Sequence, residues 1–124
     1  MDFNERIAIL YKMRFLENEG TNDIIPDLCI IFEDDMAEPS AGDYLIETIF
    51  YIAEHSGVEE GLYKLAISIP KMLPHAEFWA ERIHRTLLHS KGLVVSYMNI
   101  LENINNSTKQ IIKGILLEIR GDCQ

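Results

Sequence analysis

Apolar residues recur along this chain at intervals of three and four, the spacing that places them on one face of a helix of about 3.6 residues per turn. The pattern is densest from Tyr44 to His55, where Leu45, Ile49 and Ile52 form one stripe and Ile46, Phe50 and Ala53 form a second beside it. A helix that apolar must be covered on more than one side, so this stretch is predicted to be the central helix of the domain. The chain enters it through Glu33, Asp34, Asp35, Glu38 and Asp43. Pro39, Ser40 and Gly42 read as a turn, with the helix beginning near Ala41 and closing at Ser56-Gly57.

Six further helices follow from the same rule. The first spans about Asp2 to Asn18, with Phe3, Ile7, Leu10, Tyr11 and Phe15 on one face, and Gly20 ends it. The second starts at Thr21, Asn22 or Asp23, holds Pro26 in its first turn and turns Leu28, Ile31 and Phe32 to one side. After the central helix, Val58-Glu59-Glu60 opens a clean amphipathic run of Leu62, Leu65, Ala66 and Ile69, which Pro70 breaks or kinks. Pro74 is predicted to start the next helix, carrying Phe78, Trp79, Ile83, Leu87 and Leu88 as far as Ser90-Lys91-Gly92. A sixth holds Val94, Tyr97, Met98, Leu101 and Ile104. The seventh, capped by Ser107 or Thr108, holds Ile111, Ile112, Ile115, Leu116 and Ile119.

Seven helices with short connections leave no room for a sheet, and short connections make sequential helices antiparallel neighbours. The expected fold is therefore all-α, about seven antiparallel helices stacked as a helical-repeat-like α-α superhelix, with an orthogonal bundle as the alternative. No clean repeat period is visible. The 124 residues make one helical domain, residues 1–124, and 48% apolar with 25% charged residues is an ordinary globular composition.

Charge changes the picture more than composition does. Residues 1–62 carry fifteen acidic side chains against three basic, a balance of −12, whereas residues 63–124 carry five against eight, +3, which together make the net −9. Acidity keeps many proteins soluble, but solubility explains its sign and not its clustering. An acidic half disfavours nucleic acid and anionic membrane as partners and favours a basic protein surface. Oligomeric state is not legible. The charged start Met-Asp-Phe-Asn-Glu-Arg lacks the basic-then-apolar order of a secretory signal, and no apolar run approaches the roughly 18 residues of a membrane span, so a cytoplasmic location is expected. Two cysteines are too few for a disulfide framework, and Cys29, between Leu28 and Ile30, reads as a small buried hydrophobe.

Catalytic patterns are missing. The glycines are isolated, with neither a P-loop nor a dinucleotide fingerprint, and no cofactor is expected. Glu81-Arg-Ile-His84 has the Glu-x-x-His spacing of helical metal sites, but those need two such motifs with further glutamates, and only one is present. The pairs Asp34-Asp35 and Glu59-Glu60 are reminiscent of acidic metal sites in all-α pyrophosphatases, yet no second acidic motif faces them, and Glu59 and Glu60 suit a helix first turn. What is left is a surface. Tyr44 and Tyr51 lie seven residues apart on one helical face with Glu47 between them, and tyrosine beside acid is common in protein-binding patches.

The order of features is similar to a known group. An acidic turn before a very apolar helix, then Ile69-Pro-Lys-Met-Leu, then Glu77-Phe-Trp-Ala-Glu-Arg-Ile-His-Arg-Thr-Leu-Leu-His-Ser90, resembles the small all-helical immunity proteins encoded beside bacterial polymorphic toxins and contact-dependent inhibition toxins. The resemblance covers residues 28–91 and is carried by apolar spacing with Trp79 and Arg85; His89 stands where those proteins would place asparagine. It implies a non-enzymatic protein that binds and blocks the C-terminal domain of a cognate toxin, usually a nuclease. Nucleases carry basic grooves for phosphate, to which clustered carboxylates are complementary. The expected contact face is Glu33, Asp34, Asp35, Glu38, Asp43, Tyr44, Glu47 and Tyr51. The alternative function is a helical-repeat adaptor using the same surface to hold a basic protein partner without inhibiting it, and a third is a small metal-dependent hydrolase.

Overall fold

The computed structural model describes residues 21–36 and 39–122. Within them the protein is all-α: α1 (Ile25–Cys29), α2 (Pro39–Ser56), α3 (Val58–Ser68), α4 (Glu77–Leu88), α5 (Lys91–Asn103) and α6 (Asn106–Asp122), with 3-10 turns at Asn22–Ile24 and Ile69–Met72 and no strand. The helix predicted from Asp2 to Asn18 lies outside the described residues.

Boundaries follow local chemistry. Thr21 opens the segment with its hydroxyl accepting the Asp23 amide at 3.2 Å, and Pro26 sits in the first turn of α1. Pro70 cannot donate to the turn before it, so α3 stops at Ser68 and the chain tightens into a 3-10 turn. Three predicted details are corrected. Helix α2 begins at Pro39, so Pro39, Ser40 and Gly42 belong to the helix and not to a turn. Helix α4 begins at Glu77 and not at Pro74, because residues 73–76 form a turn and another segment receives the Phe78 amide in the first turn of the helix, as described below. The cap of α6 is Asn105, whose side-chain oxygen accepts the Thr108 amide at 2.9 Å, and not Ser107 or Thr108.

One apolar cluster joins all six helices, from Ile25, Leu28 and Phe32 through the stripes of α2 and α3 to Trp79, Ile83, Leu87, Leu93, Tyr97, Leu101 and Ile112. Helix α2 has both predicted stripes buried, Leu45, Ile49 and Ile52 with Ile46, Phe50 and Ala53. The hub, however, is α3, which packs against α1, α2, α5 and α6. Small residues permit this. A Cβ on Gly61 would collide with Ala53, so α2 and α3 approach as closely as their backbones allow, after a turn at Gly57 whose φ of +122° suits glycine. Cys29 is buried as expected, and burial pushes its thiol up to about 12.

Helices α2 and α4 meet near their starts, with Gly42 against Trp79 and Asp43 against Arg82. Beyond that contact a furrow opens between them on the surface. No helix among the described residues is long and apolar enough to cross a membrane.

Candidate functional site

The site begins with Trp79. It is the first buried residue of α4, and its six-membered ring occupies the space where a Cβ on Gly42 would stand. Only glycine lets α2 accept the ring. Phe32 at 5.7 Å and Phe78 at 5.0 Å between ring centroids complete the cage. The indole N–H needs a buried partner and donates to the Glu33 carbonyl at 2.9 Å. The acidic turn is therefore tied to the core through its backbone while its carboxylates face solvent.

Asp34 tightens the same junction. Its amide donates to the His75 carbonyl at 2.9 Å, and its carboxylate accepts the Phe78 amide at 3.0 Å, in the first turn of α4. An unpaired helix amide and the positive end of the helix dipole both favour a carboxylate there. Asp34 thus caps α4 from 44 residues away in sequence. Replacing it with alanine is expected to lower stability by about 1 kcal/mol, the usual worth of a cap, as measured by urea unfolding. Asp35, without such a bond, is expected to change stability little when replaced by asparagine.

The second part is the furrow between α2 and α4, about 440 Å³ and open to solvent. Asp43, Glu47, Tyr51 and Glu54 line one side, Arg82, Thr86 and Ser90 the other, and Ile46, Phe50 and Leu93 are also in its lining. Asp43 accepts a bond from Arg82 Nε at 2.5 Å, which closes one end with a local ion pair. Tyr51 stacks on His55 at 4.0 Å between centroids.

Of the eight residues expected at the contact face, the structure brings Asp43, Glu47 and Tyr51 together in the furrow. Glu33, Asp34 and Asp35 stand on the turn at the start of α4. Steps of four along α4 place Phe78 and Arg82 on one face with Thr86 and Ser90, so the turn and the furrow belong to one continuous surface. Tyr44 is half-buried, packs against the core as Tyr51 does and is not in the furrow lining, and Glu38 lies outside the described residues. Sequence reasoning missed Glu54 and Arg82. Glu54 is seven residues beyond Glu47 and was detectable by helical spacing; Arg82 was not, because only packing sets it opposite Asp43.

The Glu-x-x-His pair comes apart. Glu81 binds Arg85 at 2.7 Å on the surface, whereas His84 points into the core, fully buried. His84 Nδ1 lies 2.6 Å from the Ala80 carbonyl, which can only accept, so the neutral ring carries its proton there. Nε2 then accepts from the Tyr97 hydroxyl at 2.7 Å, joining α4 to α5. Burial pulls the His84 pKa down to about 4, and burial first, then the nearby Cys29, raises that of Tyr97. No group of three or more candidate metal ligands occurs among the described residues.

An open furrow with carboxylates on its rim, on a rigid helical scaffold, is the equipment of a protein-binding module. The chain belongs to the Immunity protein 30 family, whose family model matches residues 2–97. It is accordingly an immunity protein, and its partner is a toxin. No curated protein and no solved structure matches the chain. The matched region holds the acidic turn, α2, Trp79 and the whole furrow, and ends within α5.

Proposed function

We propose that the protein neutralises its toxin without chemistry of its own, by binding a basic surface of the toxin's C-terminal domain, a nuclease domain, through the face formed by the 33–35 turn and the α2 rim of the furrow. The observation that carries this reading is the common exposure of Glu33, Asp35, Glu47 and Glu54, the turn being tied to the core by the Trp79 indole bond to the Glu33 carbonyl and the two glutamates being carried by α2. A nuclease must present cations to phosphate, and a rigid display of carboxylates is complementary to them. Such charge also speeds capture, by about 10- to 1000-fold over a neutral pair.

The test is association with the toxin domain encoded beside the gene, followed by stopped-flow at several salt concentrations. The triple variant Asp35→Asn, Glu47→Gln, Glu54→Gln is expected to associate about 10-fold or more slowly and to lose most of its salt dependence, and to rescue growth of toxin-expressing cells less well. An unchanged association rate would place the contact on another face. Asp34 and Asp43 are left intact because each already serves the fold, one as a cap and one in an ion pair.

A further inference from the structure

We propose, resting on that toxin-binding reading, that the α2–α4 furrow is the anchor of the interface and takes one helix of the toxin, whose apolar side chain seats on Ile46, Phe50 and Leu93 between two cationic side chains held by Glu47 and Glu54. Steering and anchoring are different tasks. Carboxylates on an open rim raise the encounter rate, whereas lifetime comes from a side chain buried in a pocket from which water is excluded. The furrow supplies the second element, since Ile46 and Phe50 of α2 and Leu93 of α5, core residues 4–9% exposed, contribute apolar surface to its lining.

Spacing narrows the occupant. Glu47 and Glu54 are seven residues apart on α2, about 10 Å along its axis at about 1.5 Å per residue. Cations at i and i+7 of a docked helix have the same separation, and an apolar residue at i+3 or i+4 falls between them on the same face. At the other end Arg82 already holds Asp43, so a third cation meets an occupied carboxylate and a like charge. The furrow therefore has a direction as well as a charge. The opposite wall is lined by the short side chains of Thr86 and Ser90, which leave room for the incoming residue.

The experiment uses the full chain and the toxin domain encoded beside its gene. Thr86→Trp fills the furrow without changing charge; it is expected to weaken the complex about 100-fold through faster dissociation, at an unchanged association rate, while Thr86→Ser binds as the wild type does. If circular dichroism shows that Thr86→Trp disturbs folding, Ser90→Trp blocks the same wall and decides by the same readout. Wild-type affinity in a folded blocked variant overturns the anchor and leaves the toxin-binding reading standing; failure of the unmodified chain to bind the toxin overturns both. One other occupant is on the molecule itself, because Lys113, Leu117 and Arg120 stand exposed on α6 at a similar spacing. Self-association in sedimentation that is dispersed by either Thr86→Trp or Leu117→Glu would assign the furrow to a second copy and overturn the proposal.

Discussion

Trp79→Ala is expected to destabilise the protein by about 3–5 kcal/mol, the usual cost of emptying a core aromatic position. The loss has three physical parts. The ring is 2% exposed, so its apolar area returns to a cavity that Gly42 cannot fill, having no side chain to move into it. Phe32 and Phe78 lose their aromatic neighbour. The Glu33 carbonyl loses its indole donor, and the acidic turn loses its tie to the core. Urea unfolding measures the sum. Trp79→Phe separates the parts, because it keeps most of the packing and removes the N–H; the turn should then loosen, visible as faster amide exchange at Asp34, with a smaller drop in stability. Gly42→Ala approaches the same contact from the opposite wall, and overpacking against the ring is expected to cost about 1–3 kcal/mol. A Trp79→Ala loss below about 1 kcal/mol, far under the usual range, would mean that the cage contributes little.

The second large effect is acid lability. His84 titrates near 6.5 when unfolded and near 4 in the fold, where burial opposes its charge. Between those values the unfolded chain binds the extra proton, so stability falls as the pH is lowered from about 6.5 and this contribution is complete below about 4. The displacement corresponds to a loss on the order of 3 kcal/mol. Unfolding measured at steps from pH 7 to pH 4 tests it through the difference between the wild type and His84→Leu. The variant loses stability at pH 7, since the Tyr97 hydroxyl is left without its acceptor, but its profile should be flatter across that window. Parallel profiles would show that His84 does not set the acid limit.

The helical architecture was largely legible. Six of the seven expected helices appear in the described residues, and the α2 stripes are buried as their spacing required. Burial of Trp79 and Cys29 was legible for the same reason. The errors fall where a segment far away in sequence supplies a bond or a shape. Pro74 looked like a helix start by local rules, but Asp34 reaches the amide of Phe78 and the helix begins at Glu77. Gly42 looked like a turn residue, and it is a helical glycine because Trp79 lies on it. Helix α2 looked central by apolarity, whereas α3, with Gly61 and Ala66 among its small residues, touches more of its neighbours.

Local spacing and charge, which any stretch carries by itself, determined the all-α class, the apolar faces and the acidic first half with its preference for a basic protein surface, while a toxin as partner came from the family resemblance. The tertiary structure decided which carboxylates serve the fold and which stand outward. Asp34 and Asp43 acquire a helix amide and a guanidinium from α4, 39 or more residues away, and Glu47 and Glu54 acquire a furrow. A carboxylate's role depends on what lies within about 3 Å of it, the hydrogen-bond range, and for residues that far apart in sequence only packing brings the partner there.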